Sequence, residues 1–448
     1  MRFLFAAIPE AGHVNPALPI VRALADAGHA VTFTTGPDLA AAVTAAGAGF
    51  VPLPEGAYWD PVAADRRYPH RRELTGVRRL RFGLVHGFCE LAAAQARHLL
   101  ALHAAEPVDA LVVDSAVLGA RFTTELGGPP VGVYSASVLP YRSRQVPPLG
   151  LALLPRPGLV GRARDRVLWA ALWATVTRAT AVALDGQRRQ LGLRPVHRTV
   201  LDRPVDAGLV LELSPPGFDY PRPDLPPVVH FVGAPAPLPV PGWAPPPWWE
   251  ELAGRRVVVV TQGSAMADPA ELLRPALAGL SGLDVLVVAV TGGPDPAVLG
   301  PLPANARAGG YIPYGPLFAR AAAVVTNGGF GGVQRAISSG VPLVVAGATG
   351  DRPEVANRVA WSGVGVNLRT GRPSPDAVRA AVQRVLADPS YAARARLLAE
   401  SAAPALAAER AAALLAELAA TGRPVLRAGT GRRGPTSRRA GGGAVSPR

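Results

Sequence analysis

The sequence predicts an α/β protein built as two facing, Rossmann-like doubly wound domains. Three observations lead there. Short apolar strands alternate with helices through short links over the first half of the chain, and a run from Pro215 to Pro247 is too dense in proline for regular structure over most of its length. After that run the alternation restarts. The expected division is 1–214 for an N-terminal domain, 215–253 for a proline-rich linker and 254–401 for a C-terminal domain. A closing helix over 402–420 crosses back to the first domain, and 421–448 forms a disordered Arg/Gly-rich tail.

The first strand runs from Arg2 to Ile8 and is followed by a loop. A helix then begins near Asn15-Pro16, with asparagine as N-cap and proline at the first helical position, and Gly28 stops it after Ala27. A strand at Ala30 to Thr35, a helix at Pro37 to Ala46 and a strand at Gly49 to Leu53 continue the alternation. Another strand, Ala110 to Val113, ends at Asp114. The second half reads as strand Arg256 to Val260, helix Ala270 to Leu280, strands Val285 to Val290 and Ala323 to Thr326, and a helix from about Gly332 to Ser338. Strand Pro342 to Val345, helix Glu354 to Trp361, a short strand near Val364 to Leu368 and helix Pro375 to Ala387 follow. The alanine/leucine helix Ala402 to Ala420 closes the domain.

Composition removes several chemistries. The chain has 448 residues, 46 basic against 32 acidic, for a net charge of +14, and every basic residue is arginine. Without lysine there is no Schiff base, no pyridoxal phosphate attachment and no P-loop lysine. One cysteine, Cys89, makes no internal disulfide and no cysteine-rich metal site, which fits a reducing, cytoplasmic setting. Half of the charge excess lies in the stretch from Arg423 to Arg448, whose seven arginines meet no acid, and no basic stripe is interleaved with stacking aromatics. A nucleic-acid partner is therefore not expected.

The apolar start, Phe3 to Ile8, is too short for a signal h-region and meets Glu10 at once. The longest helical apolar stretch, Val167 to Thr177, reaches about half of a ~20-residue span before Arg178. The segment from Asp65 to Arg81 carries seven arginines and two acids without a clear period. It reads either as a solvated mobile loop with its following helix or as a flap that meets an anionic acceptor or a membrane surface.

Two constellations carry chemistry. Gly12-His13-Val14-Asn15-Pro16 lies between the carboxyl end of the first strand and its helix, the crevice where ligands sit in open α/β sheets. A histidine there can take a proton from a bound hydroxyl, an effect worth ~10²–10⁴ in rate. Asp114, at a strand end of the same sheet, can hold the imidazole tautomer and stabilise the imidazolium. In isolation His13 could equally cap or pack, and Asp114 could be a strand-end turn residue.

The second constellation is Thr326-Asn327-Gly328-Gly329-Phe330-Gly331-Gly332, a glycine-rich turn between strand and helix. Glycines let the backbone approach a diphosphate, and the helix N-terminus offers free N–H donors. Its spacing is not a dinucleotide fingerprint, because Gln334 stands where a third glycine should fall. Gln262-Gly263-Ser264 offers a second phosphate contact, and Asp351 precedes the next helix; in isolation the glycine-rich turn could serve packing alone and Asp351 would sooner be a helix N-cap. Together they point to a nucleoside diphosphate carrying a polyhydroxylated group. No Asp-x-Asp pair occurs and the histidines lack metal spacing, so neither a metal nor any other cofactor is expected. A leaving diphosphate would then be stabilised by N–H groups, the helix dipole and arginine.

At this point the chain, up to about residue 420, resembles the GT-B fold, family 1 glycosyltransferases, including bacterial enzymes that decorate macrolide, polyketide and glycolipid acceptors. The resemblance rests on the Gly-His-x-Asn-Pro loop and on the run from Tyr311 to Leu368. That run has aromatic-x-Pro, a strand, a glycine-rich turn, Gly340-Val341-Pro342, then Asp351, Arg358-Val359 and Gly363-x-Gly365. It implies that the first domain binds acceptor and the second donor. His13 would be the base and Asp114 its partner. Gly263 and Ser264 would meet a donor phosphate, Tyr311 would stack on the nucleotide base, and Ile312 would bind that base through its backbone. Asn327, Gly328, Gly329, Gly331 and Gly332 would lie on the diphosphate, and Asp351 would contact sugar hydroxyls.

Departures from the family pattern fall in the donor site. The usual His-Gly-Gly reads Asn327-Gly328-Gly329, its threonine is Gly332, the ribose glutamate is Arg335, and the Asp-Gln pair is Asp351-Arg352. The implied activity is an inverting, metal-independent transfer from a UDP- or dTDP-sugar to a hydroxyl of an apolar natural-product or lipid acceptor, by a monomer or homodimer with peripheral membrane contact. A nucleotide-sugar 2-epimerase of the same fold and a non-catalytic homologue acting as an auxiliary binding protein are the rival readings. The Gly-His-x-Asn-Pro loop favours transfer over epimerisation, and intact His13, Asp114 and Asp351 favour an enzyme.

Overall fold

A computed structural model describes residues 1–202, 207–240, 242–263 and 268–427. The first sheet comprises β1 (Arg2–Ala6), β2 (Ala30–Thr35), β3 (Gly49–Pro52), β4 (Ala110–Asp114), β5 (Val131–Ser135), β6 (Leu209–Glu212) and β7 (Val229–Phe231), in the order β3-β2-β1-β4-β5-β6-β7. The second comprises β8 (Val257–Thr261), β9 (Leu286–Val290), β10 (Ala306–Gly309), β11 (Ala321–Thr326), β12 (Leu343–Val345) and β13 (Gly365–Asn367), in the order β10-β9-β8-β11-β12-β13. The central pairings are parallel, with Phe3 facing Val31 and Ala110, and Val259 facing Val288 and Val324. Helices cover both faces of such sheets, so central strands are apolar throughout rather than alternating. Val257, Val258, Val259 and Val260 are all fully buried.

In each sheet the strand order reverses once, between β1 and β4 and between β8 and β11. Connections leave such a pair of strands toward opposite faces and open a crevice at their carboxyl ends. Both sequence constellations emerge at these points.

The helix Ala407–Thr421 packs on the first sheet; it starts five residues later than the closing helix read from Ala402, which instead ends the helix Pro389–Ala402. Its Leu415 and Leu418 are fully buried in a cluster with Phe3, Ile20, Leu24 and Tyr134. Glycines make the space for it. A Cβ on Gly132 would fall 2.9 Å from Leu415 Cδ2, and one on Gly208 would fall 2.7 Å from Leu418 Cδ1.

Several expectations are corrected. The run 215–253 is not only a linker, because β7 inside it pairs with β6 and Val229 is fully buried. Prolines flank this strand on both sides, and its place at the sheet edge tolerates them. Residues 422–427 are not a disordered tail. The Val425 N–H donates to Gly208 O at 2.9 Å, the Arg427 N–H donates to Pro227 O at 2.9 Å, and Val425 is buried. The expected disorder of 428–448 lies outside the described residues.

The first helix divides in two. A single turn, Ala11–Val14, is followed by Leu18–Asp26, and Asn15 caps neither start with its side chain. Pro16 has no N–H to continue the ladder, which breaks the run there. The segment from Asp65 to Arg81 is mostly helical, in Pro61–Arg67, the 3₁₀ turn Pro69–Glu73 and Gly76–Gly87, with Asp65 accepting from Arg71 and Arg72. The strand β10 has the sequence Ala-Arg-Ala-Gly, which offers no strand signal of its own.

The helices Gly158–Leu172 and Arg178–Gln190 join through a π-helical turn, Trp173–Thr177, into one run of 33 residues. By length and mean hydropathy this run is long and apolar enough to cross a membrane, which corrects the shorter Val167 to Thr177 expectation. Its inner side packs Trp169, Leu172, Val176 and Leu184 against Leu118 and Phe122.

Candidate active site

β1 ends at Ala6, and the chain turns into the one-turn helix that carries His13. The backbone there is fixed from below. The hydroxyl of Tyr134, a fully buried residue of β5, donates to His13 O at 2.9 Å. Asp114 is the last residue of β4 and is fully buried. Its Oδ2 meets His13 Nδ1 at 2.7 Å, while its Oδ1 accepts the Ala116 N–H at 3.2 Å.

The His13 side chain is 24% exposed, and among the described residues its Nε2 has no partner. The carboxylate on Nδ1 selects the tautomer with the proton on that nitrogen, which leaves the Nε2 lone pair free to accept one. Burial acts to lower the imidazole pKa, but the charge and hydrogen bond of Asp114 oppose it. Glu10 and Asp351 add to that opposition, and the net shift is upward from 6.5.

Asp351 lies before the helix Arg352–Trp361 of the second domain. Its carboxylate makes no cap bond to that helix. Instead its Oδ2 accepts from the Ser137 hydroxyl, two residues past the end of β5 in the first domain. The same helix binds the first domain further along. Glu354 Oε1 accepts the Gly150 and Ala152 N–H groups at 2.9 Å each, and Asn357 Nδ2 donates to Ala152 O at 2.6 Å. Arg358 Nε donates to Asp219 Oδ1 at 2.7 Å, with Arg222 on the other carboxylate oxygen. A cavity of about 690 Å³ lies alongside, between Leu153 and Leu154 of one domain and Gly347, Ala348 and Asn357 of the other.

The glycine-rich turn leaves β11 beside the loop that leaves β8. Asn327 is buried and ties the two together, with its Nδ2 donating to Gln262 O and its Oδ1 accepting the Gly329 N–H at 3.3 Å. Gly328 has φ +83°, and a Cβ there would fall 2.8 Å from Val345 Cγ1, so both conformation and space require glycine. Gly329 is the N-cap of the helix Phe330–Ser338, which places Gly331 and Gly332 in its first turn. Gly263 also has a positive φ, +73°, and its N–H donates to Thr261 Oγ1 at 3.2 Å. Ser264 lies outside the described residues.

Tyr311 is 59% exposed just past β10, while Ile312 next to it is buried. Arg352 Nη1 donates to Thr349 Oγ1 at 3.4 Å within the loop that carries Asp351. Arg335, where the resemblance implies a glutamate, forms no hydrogen bond or ion pair among the described residues, and desolvation pulls its pKa down to about 10. Among the described residues, no group of three or more His, Cys, Asp or Glu side chains comes together that could hold a metal ion.

Sequence reasoning missed Ser137, Tyr134 and the Glu354–Arg358–Asp219 network. Each contact joins positions more than a hundred residues apart, except the turn-spaced Glu354–Arg358 pair, and no local motif marks them.

The candidate site thus has a histidine–aspartate pair at one switch point and a glycine-rich turn at the other, with Asp351 of the second domain bonded to Ser137 of the first, in a two-domain α/β protein whose relatives are group-transfer enzymes. Residues 274–418 match the family described as erythromycin biosynthesis protein CIII-like, C-terminal domain. The chain is 40% identical over 407 residues to 4'-demethylrebeccamycin synthase of Lentzea aerocolonigenes, covering 90% of this chain and 96% of that one. It is 31% identical over 428 residues to UDP-glucosyltransferase 1 of Beauveria bassiana, covering 88% and 90%. The solved structure of CalG4, the calicheamicin glycosyltransferase, superposes with a TM-score of 0.68 at 26% identity, covering 93% and 98%. The chain belongs to the GT-B fold, family 1 glycosyltransferases, and is a glycosyltransferase of the natural-product type.

Proposed function

We propose that the protein is an inverting, metal-independent enzyme that moves a sugar from a UDP- or dTDP-sugar to a hydroxyl of an apolar natural-product or lipid acceptor. The observation that carries this reading is the His13–Asp114 dyad, whose free Nε2 faces the crevice while Asp351 bears on it from the other domain. The acceptor O–H gives its proton to Nε2 and its oxygen attacks the anomeric carbon. The bond from that carbon to the diphosphate breaks, and the nucleoside diphosphate leaves with the electron pair. Attack from the face opposite the leaving group inverts the centre in one displacement.

In this reading the backbone N–H groups at Gly329 to Gly332 and the helix N-terminus receive the diphosphate. Asn327 supports the loop rather than the ligand. Arg335, one turn further along the same helix face as Gly331 and Gly332, supplies the cation that the asparagine cannot. Tyr311 is exposed enough to stack on the base, with Ile312 beside it, and Asp351 keeps its Ser137 contact at Oδ2 while its Oδ1 meets sugar hydroxyls. The setting is cytoplasmic, in keeping with the single buried, unbridged Cys89.

A panel of nucleoside diphosphates and their sugars, screened by thermal shift and then by transfer in the presence of a chelator, tests the proposal. A ligand that binds only the native state raises its melting temperature. Loss of transfer in chelator, retention of anomeric configuration in the product, or the absence of stabilisation by any member of the panel would each contradict it.

A further inference from the structure

We propose that the face formed by the helix Gly76–Gly87, the loop 149–157 and the helix Gly158–Leu172 docks on an anionic lipid membrane. The three pieces are contiguous. Leu80 Cδ2 lies 4.0 Å from where a Cβ on Gly150 would be, and Arg164 Nη2 donates to Leu154 O at 3.0 Å.

Large apolar side chains stand out from this face. Leu159 is 76% exposed, Val160 77% and Val167 68%, with Val77, Leu80, Leu151 and Leu154 also exposed. Leu159 and Val160 project from the first turn of a helix whose opposite side is already committed to the core through Trp169 and Leu172. Scattered exposed hydrophobics need no explanation, but a contiguous group on adjoining elements does.

Charge identifies the partner. Arg78, Arg79 and Arg81 on one helix, Arg156 in the loop, and Arg162 and Arg166 on the other helix are exposed and have no ion pair or hydrogen bond of their side chains among the described residues. The one acid in these three pieces, Asp165, is buried and held by Arg164. Apolar groups interleaved with unpaired arginines and free of exposed acid match an acyl boundary beneath anionic headgroups, where the arginine stems lie along the apolar layer and the guanidinium groups reach phosphate.

The helix lies on the membrane and does not cross it. Spanning would carry Arg162, Arg164, Asp165 and Arg166 into hydrocarbon and strip Trp169 and Leu172 from their core. The same loop gives its Gly150 and Ala152 N–H groups to Glu354, so the docked face borders the contact between the domains.

Sedimentation of the full chain with vesicles of phosphatidylcholine alone, or of phosphatidylcholine mixed with phosphatidylglycerol, tests this. The chain should partition onto the mixed vesicles and not onto the neutral ones. The triple change Arg78→Ser, Arg79→Ser and Arg81→Ser should weaken partitioning about a hundredfold. The pair Val160→Ser and Val167→Ser should weaken it by at least about tenfold. Unchanged melting temperatures establish that both variants are folded. Partial quenching of the emission of the seven tryptophans by brominated acyl chains, through Trp173, which is also exposed beside this face, reads docking in the unaltered chain. Failure to bind mixed vesicles, equal binding to neutral ones, unquenched tryptophan, or variants that bind like the parent would overturn the proposal. So would a dimer in solution that the Val160/Val167 pair disrupts, since the face would then belong to a second copy.

Discussion

The Ser137 hydroxyl donates to the Asp351 carboxylate, joining the loop after β5 in one domain to the start of the helix Arg352–Trp361 in the other. This bond lies between the base and the donor site, and Asp351 contributes to the raised pKa of His13. Ser137 is therefore a positioning residue. Ser137→Ala should raise the donor KM by roughly tenfold or more, as expected for one hydrogen bond to a charged group, with a smaller effect on kcat. Steady-state kinetics with donor varied at saturating acceptor would measure the split, and an effect confined to kcat would exclude the role.

Replacing His13 with alanine should lower turnover by about 10²–10⁴ while nucleoside diphosphate binding stays close to that of the parent. A variant as fast as the parent would remove the base assignment.

Because a base works unprotonated, kcat/KM should rise with pH through an apparent pKa above 6.5, the direction in which His13 is shifted. In Asp114→Asn the lowering influence of burial is no longer opposed by that carboxylate, so the rising limb should move to lower pH even as the rate falls. The sign of His13's contribution to stability follows. Its folded pKa is raised, so the contribution is present in full below the unfolded value and is lost as pH rises through the folded one. A pH profile that leaves the limb in place in Asp114→Asn would contradict the coupling.

Arg335→Gln should weaken binding of a nucleoside diphosphate by about tenfold and leave the uncharged nucleoside unaffected, because a half-buried cation with no protein partner among the described residues has anion binding to lose. Calorimetric titration of both ligands distinguishes this from a general loosening of the helix Phe330–Ser338, which would weaken the two alike.

Glu212, the last residue of β6, is buried, and one of its carboxyl oxygens lacks a partner among the described residues. Burial, reinforced by Asp219, pushes its pKa up to about 8. The folded state therefore binds a proton that the unfolded state has released, and stability falls as pH rises from the ordinary glutamate range toward about 8. Glu212→Gln should flatten that slope, with a gain on the order of a few kcal/mol at its alkaline end. Urea melts at several pH values would detect it, and parallel slopes in parent and variant would refute it.

Removing residues after Thr421 deletes Val425, whose side chain is buried and whose N–H and carbonyl bond Gly208 and His230. Truncation there should cost about 2–3 kcal/mol, whereas truncation after Arg427 spares these bonds. Equal melting temperatures for the two would show that the segment contributes nothing.

Much of the fold was legible because parallel strands buried on both faces must be apolar runs. Phe3 to Ala6 and Val257 to Val260 declare themselves without reference to anything distant. The helix Pro375–Ala387 was bounded by its own cap, the Ser374 side chain accepting the Ala377 N–H. β10 and β7 were not legible, since Ala-Arg-Ala-Gly and a three-residue strand among prolines become strands only when a neighbour offers hydrogen bonds.

The sequence by itself determined the two alternating halves, the residue types at both strand-end turns, and the absence of lysine chemistry. These depend on local sterics, periodicity and composition. Only the tertiary structure decided that His13 meets Asp114 at 2.7 Å, that Tyr134 fixes the backbone under it, and that Ser137 holds Asp351 from the facing domain. The His13–Asp114 pair could be anticipated from two strand ends of one sheet, though not its distance, whereas the Ser137–Asp351 bond, between residues 214 positions apart, leaves no trace in either neighbourhood, because its energy exists only once chain closure and packing have brought both partners to one crevice.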